Sequence, residues 1–160
     1  MTEFLDFARP RPPQLTLTPA RALCERVVHL VAAQAAAAHV RLVTDLPGRD
    51  AVLQADPAKL EQVLLNLLAN GVEALAPSGG GQLILRLRRQ PRTVTFEVED
   101  DGPGIPGPDT PVFDPFFSTK PDGTGLGLAI SHRIVSDHGG DLIVESKPGR
   151  TVFRVTLPVE

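Results

Sequence analysis

The sequence predicts an α+β fold, a two-layer sandwich with helices packed on one face of a mixed, mostly antiparallel sheet. Three observations lead there. Helical apolar spacing appears in three separate stretches, beginning near Thr18, Asp56 and Thr124. Short runs of alternating apolar and polar residues lie between those stretches and come in pairs. Gly and Pro clusters punctuate the joins, and no internal repeat is evident.

Taken in order, residues 1–13 end in Arg9, Pro10, Arg11, Pro12 and Pro13, and read as an extended linker because proline removes backbone donors and disfavours helix before it. Residues 14–160 form the domain. Gln14 to Leu17 is a short strand candidate, and Thr18-Pro19 looks like a helix cap followed by proline at the first helical position. An Ala-rich helix then runs to about His39. Val40 to Leu46 and Ala51 to Gln54 read as two strands around the turn Pro47-Gly48-Arg49-Asp50. Asp56-Pro57 repeats the cap signal and opens a helix to about Leu75. Gln82 to Arg88 and Thr93 to Asp100 make a hairpin-like pair. After a loop from Asp101 to Gly123, a helix from Thr124 to His138 is stopped by Gly139-Gly140. Asp141 to Ser146 and Thr151 to Val159 are the closing strands.

Composition narrows the classes. The chain has 160 residues, enough for one core, with 42% hydrophobic and 22% charged residues. Seven Phe and no Trp or Tyr leave the core to Leu, Val, Ile and Ala. A net charge of -3 without a basic block argues against nucleic acid or an anionic membrane as the main partner. Arg86, Arg88 and Arg89, the densest basic cluster, read as a solvated strand face. The single Cys24 excludes an internal disulfide and reads as packing. The most apolar stretch, Val27 to Val43, is broken by His29, Gln34, His39 and Arg41, and is too polar to span a bilayer.

Four segments carry candidate chemistry. In residues 60–75, Leu60, Val63, Leu64, Leu67 and Leu68 face the sheet, and Asn66 and Asn70 stack four apart beside that stripe. Two amide oxygens so placed suit a hard cation such as Mg²⁺, which also keeps water and phosphate ligands. A solvated polar face is the alternative reading. In residues 98–106, the inward parity of Val94, Phe96 and Val98 continues to Asp100, a carboxylate that needs a donor such as a purine amino group. Gly102 and Gly104 let the backbone turn closely around a ligand. In residues 112–120, Phe113, Phe116 and Phe117 suggest either a lid or, as the favoured reading, an anchor of the loop to the core. Lys120 offers phosphate charge. In residues 122–130, glycines alternate directly into a helix, whose free N–H groups and dipole form a phosphate site. A dinucleotide-binding fold uses a similar run, but starts it from a strand and not from a long loop.

As an ordered set, these segments resemble the catalytic and ATP-binding domain of two-component sensor histidine kinases, within the Bergerat-type ATPase superfamily. NLLANGVEA is similar to the asparagine box, DDGPGIP to the aspartate-glycine box, FDPFFSTK to the phenylalanine box and GTGLGLAI to the second glycine box. The resemblance runs from about Gln14 to Pro158, and FFSTK is most similar to the nitrogen-regulation type. It implies that Asp100 holds the adenine amino group, Asn70 holds Mg²⁺ with Asn66 assisting, and Gly102 and Gly104 shape the adenine pocket. It further implies that Lys120 reaches the terminal phosphates. Gly123, Thr124, Gly125, Leu126, Gly127 and Leu128 would line the phosphates, and Thr151 would support the adenine-side hydrogen bonds. Asn66 and Lys120 are the catalytic candidates, and ATP and Mg²⁺ the expected ligands. Many such kinases carry Lys and Tyr where Glu73 and Ala74 stand here, so Glu73 has no assigned role.

Hydrolytic members of the superfamily carry a Glu one turn before the Mg²⁺ asparagine as general base; here that position is Asn66, which cannot take a proton. The expectation is therefore phosphoryl transfer to a histidine on a separate dimerisation domain, with a response regulator downstream, in the bacterial cytoplasm. The alternatives are a nucleotide-binding regulatory or docking module without transfer activity and, less favoured, an ATP hydrolase. His29, His39, His132 and His138 lack the acidic residue and downstream Pro of a phosphoacceptor box. The opening FLDFARPRPP resembles the end of a dimerisation helix with its linker, so the chain reads as a fragment that follows a phosphoacceptor domain.

Overall fold

The computed structural model describes residues 12–107, 110–114 and 127–159. In chain order the elements are β1 (Thr16–Pro19), α1 (Ala20–Ala37), β2 (Val40–Asp45), β3 (Val52–Ala55), α2 (Pro57–Leu75), a 3-10 turn (Ala76–Ser78), β4 (Gly81–Arg89), β5 (Thr93–Asp100), α3 (Gly127–Asp137), β6 (Asp141–Lys147) and β7 (Arg150–Pro158). Five strands form one sheet in the order β2-β4-β5-β7-β6. Its β2–β4 pair is parallel and the rest antiparallel. The helices cover one face of that sheet, which is the expected sandwich.

Helix α2 is the centre of the helical layer. Leu60, Val63, Leu64, Leu67 and Leu68 are all 1% exposed or less, as their spacing requires. At Gly71 the helix comes so close to β4 that an added Cβ would lie 2.5 Å from the Leu83 Cδ1. The opposing strands supply Leu83, Leu85 and Leu87 from β4, Val94, Phe96 and Val98 from β5, and Phe153, Val155 and Leu157 from β7. Aliphatic residues dominate this core, with Phe96 and Phe153 its aromatic members among the described residues. Cys24, on the inner face of α1, is fully buried, and burial pushes its thiol up to about 12, which fits a packing role.

The open sheet face carries the arginines. Signs alternate strand by strand: Asp45 on β2, Arg86 and Arg88 on β4, Glu97 and Glu99 on β5, Arg150 and Arg154 on β7, and Glu145 on β6. Arg88 meets Asp45 at 2.6 Å, Arg86 meets Glu99 at 2.8 Å, and Arg154 meets Glu97 at 2.6 Å and Glu145 at 2.8 Å. Each such surface pair contributes only about 0–1 kcal/mol. The ladder does, however, place opposite charges across every strand pair of the sheet.

Two local expectations need correction. Residues 40–46 and 51–54 do not pair with each other. β2 joins β4 in the main sheet, whereas β3 pairs antiparallel with β1 in a separate two-stranded ribbon. Thr18-Pro19 likewise does not cap α1 with its own hydroxyl, because both residues belong to β1 and the Thr18 hydroxyl meets the Ala55 carbonyl oxygen at 3.1 Å. The cap comes from the turn before β3. Asp50 accepts the Arg21 N–H at 2.7 Å and the Ala22 N–H at 3.3 Å, and the Ala51 carbonyl accepts the Ala20 N–H at 2.7 Å. The same recruitment turns the chain out of β2 and into the ribbon. The Asp56-Pro57 expectation holds: Asp56 accepts from Lys59 at 3.3 Å with Pro57 at the first position, and its other oxygen accepts the Gln14 N–H at 3.0 Å.

An Asp50→Ala substitution is expected to lower stability by about 1–2 kcal/mol, the usual cost of losing a helix cap, although the residue is exposed and distant in sequence from α1. Urea denaturation checks this, and an unchanged midpoint would mean that the carboxylate leaves α1 unaffected.

Candidate nucleotide site

Asp100 is the last residue of β5, opposite Leu83 on β4 and Thr151 on β7. The strand parity that buries Val94, Phe96 and Val98 buries it as well, to 5% exposure. Its Oδ1 accepts the Gly102 N–H at 3.0 Å. Burial pushes its carboxyl above the ordinary aspartate range; the Gly102 N–H acts against this, and the neighbouring Asp101 and Glu99 charges add to it. Among the described residues this buried acceptor has one backbone donor, and it lies beside the equally buried Thr151.

The loop after Asp100 is held from two sides. Asp101 accepts the Gln82 N–H at 2.9 Å, which ties the loop to the start of β4. Across the loop, the Gly149 N–H donates to the Gly102 carbonyl at 2.9 Å, and the Ile105 N–H donates to Ser146 Oγ at 2.8 Å. Ser146 Oγ and Thr151 Oγ1 lie 2.9 Å apart. Gly104 has φ +89, and a Cβ there would come 2.9 Å from the Lys147 carbonyl oxygen, so both backbone sign and space require glycine. Gly104 thus lets the β5 loop lie against the β6–β7 turn, while a Cβ at Gly102 would come 2.9 Å from Asp100 Oδ1 and 3.4 Å from Leu75 Cδ2.

On α2, Asn66 and Asn70 are half-buried and one turn apart, beside the apolar stripe. The Asn66 Nδ2 donates to the Gly127 carbonyl at 3.3 Å and to Ser131 Oγ at 3.2 Å. A carbonyl only accepts, so the amide nitrogen is the end turned toward α3 and Oδ1 is turned away from it. Gly127 and Leu128, both half-buried, open α3. Lys120, Gly123, Thr124, Gly125 and Leu126 lie outside the described residues, as do Phe116 and Phe117. Phe113 is described, and it anchors its own segment to the core. Its ring packs 5.1 Å from His132 and edge-on to Phe153 at 6.2 Å.

The two amide oxygens fit Mg²⁺ as a partial donor set: neutral, hard and one turn apart, leaving room for water and phosphate oxygens. Among the described residues no cluster of three His, Cys, Asp or Glu exists to cage a metal. Glu73 is exposed on α2. The four histidines are placed as well. His29 is exposed on α1, His39 follows α1 with φ 60, and His132 stacks on Phe113. His138 follows α3, where its Nε2 accepts the Asp56 N–H at 3.0 Å and its Nδ1 lies 2.8 Å from the Ile134 carbonyl oxygen.

Ser131, Ser146 and Asp101 were not anticipated. Ser146 continues the inward parity of Leu142 and Val144, the same signal that exposed Asp100. Ser131 occupies the apolar stripe of α3 between Ile130 and Ile134, where a polar side chain needs a partner. Asp101 left no periodic signal.

The profile of the histidine kinase-, DNA gyrase B- and HSP90-like ATPases matches residues 55–160, which hold every one of these groups. The chain belongs to this family. Among its relatives, it is 43% identical to the C4-dicarboxylate transport sensor protein DctS of Rhodobacter capsulatus over 158 residues, 96% of this chain and 24% of the relative. It is 44% identical to the sensory histidine kinase/phosphatase NtrB of the same species over 134 residues, 76% of this chain and 38% of the relative. The chain therefore spans well under half the length of these relatives. Full-length ShkA in complex with AMPPNP is similar in structure, with TM-score 0.86 and 30% identity over 98% of this chain and 34% of that one. No helix among the described residues is long and apolar enough to cross a membrane.

Asp100→Asn is expected to separate stability from binding. Because the folded state holds the Asp100 proton more tightly than the unfolded chain does, this group's contribution falls as pH rises from the ordinary aspartate value, about 3.9, through its raised folded value. The unliganded variant should thus be at least as stable as wild type at pH 7, with the difference closing below pH 4. Thermal melts across that range check it, and a variant clearly less stable at pH 7 would contradict the burial argument.

Proposed function

We propose that this chain is the catalytic, ATP-binding part of a two-component sensor histidine kinase of the nitrogen-regulation type, acting in the cytoplasm. It binds Mg-ATP and presents the γ-phosphate to a histidine on a dimerisation domain, which in turn serves a response regulator. Residues 1–13 are the linker from that domain.

The observation that carries the transfer reading is the state of Asn66. A hydrolase of this family needs a proton acceptor one turn before Asn70, and here the position holds a neutral amide whose nitrogen is engaged by α3. Without a base to activate water, the site is suited to positioning ATP for an acceptor that is already a nucleophile. Asp100 accepts from the adenine amino group, and Thr151 adds a hydroxyl on the same side. The oxygens of Asn70 and Asn66 hold Mg²⁺, which supplies charge neutralisation to the phosphates. Lys120 and the Gly123–Leu128 run approach those phosphates, aided by the positive end of the α3 dipole.

The isolated chain is expected to bind ATP, hydrolyse it very slowly and leave its own histidines unlabelled. Mixed with a matching dimerisation domain, it should transfer label to that domain's histidine as an acid-labile, base-stable adduct. The rate should be low, because separation removes the effective concentration of a covalent linker. Steady ATP turnover lost on Asn66→Ala would restore the hydrolase, and binding without transfer would leave a docking module.

Two substitutions test the site. Asp100→Asn should weaken ATP binding by about 1.5–3 kcal/mol, the range for a hydrogen bond to a charged group. Asn70→Ala should weaken Mg-ATP far more than metal-free adenosine. Calorimetry checks both, and equal losses for the two ligands would remove the metal role from Asn70.

A further inference from the structure

We propose that Ser131 is a positioning residue that orients the Asn66 amide, and the proposal rests on the reading of α2 as the metal-phosphate face. Ser131 is fully buried on α3, where a hydroxyl without a partner would be costly. It sits one turn after Gly127, so its Oγ and the Gly127 carbonyl oxygen flank the same point on the helix surface. Asn66 Nδ2 reaches both, at 3.2 and 3.3 Å. An amide nitrogen has two hydrogens, and these two acceptors occupy them.

The consequence lies at the other end of the amide. A free asparagine can flip, exchanging a ligand oxygen for a hydrogen-bond donor that repels a cation. With both acceptors in place, a flip would set Oδ1 against the Gly127 carbonyl oxygen, so Oδ1 stays turned away from α3. Removing the Ser131 hydroxyl leaves one acceptor and a looser amide. Ser131 needs no contact with nucleotide or metal for this. Through Gly127 it also couples the amide to the first residue of α3, directly after the glycine run.

The test is a double-mutant cycle on the chain, with Ser131→Ala, Asn66→Ala and the double variant, reading the factor by which Mg²⁺ tightens ATP binding over EDTA. Ser131→Ala should reduce that factor about three- to tenfold, the scale of one hydrogen bond. Its affinity for ATP in EDTA should change by less than about twofold. In the Asn66→Ala background Ser131→Ala should change nothing further, and Ser131→Thr, which keeps the hydroxyl, should recover most of the loss. Thermal melts and the Asn66 side-chain NH₂ signals in ¹⁵N NMR accompany the series, and those signals should lose protection from exchange in Ser131→Ala. An unchanged Mg²⁺ factor, or an equal Ser131→Ala loss with and without Asn66, overturns the proposal and leaves Ser131 as core packing. If Asp100→Asn abolishes nucleotide binding while neither Asn66 nor Ser131 substitution alters the Mg²⁺ factor, the nucleotide site stands and this inference falls. A wild-type chain that binds no ATP overturns both.

Discussion

The packing of α2 on the sheet is the constraint on which the site depends. One helix buries Leu60, Val63, Leu64, Leu67 and Leu68 against the strands and presents Asn66 and Asn70 beside that stripe. The rotation of α2 about its axis is set by five buried side chains, and truncating any of the four leucines to alanine would cost about 2–5 kcal/mol. The amides therefore inherit their direction from the hydrophobic core. Gly71 brings the same helix hard against β4, and the loop after Asp100 packs on its last turn, where a Cβ at Gly102 would stand 3.4 Å from Leu75 Cδ2. The two amides and the loop that follows Asp100 are thus referenced to one helix.

Asp100 shows the opposing requirement. A carboxylate at 5% exposure is unfavourable in the empty protein, and the Gly102 N–H offsets only part of that. The surroundings hold it there through its strand register, between Leu83 and Thr151, and through the hydrogen bonds that pin the following loop to β4 and to the β6–β7 turn. The charged ladder on the opposite sheet face has the reverse character: half-buried to exposed and mutually paired across the strands.

The same division explains the α1 cap and His138. Asp50 from the β2–β3 connection caps α1, and His138 at the end of α3 receives the N–H of the residue that caps α2. Each contact joins the end of one helix to a residue far away in the chain. Together they hold helix termini that would otherwise carry unsatisfied backbone groups.

Periodicity and local chemistry in the sequence by themselves determined the helices and strands, the inward face of α2, the burial of Asp100 and the Asp56-Pro57 cap. Each of these depends on neighbours within a few residues, through a helical or strand repeat. The ordered boxes added the family and the roles carried by resemblance. Only the tertiary structure decided which strands pair, since β2 and β3 are adjacent in the chain yet join different sheets. It also decided that Asp50 caps α1, that His138 accepts the Asp56 N–H, and that Ser131 and Gly127 hold the Asn66 amide. Those outcomes depend on hydrogen bonds between residues 28 to 82 positions apart. A side chain's local pattern can show that it is buried and polar, but its partner is chosen by how the helices and strands pack.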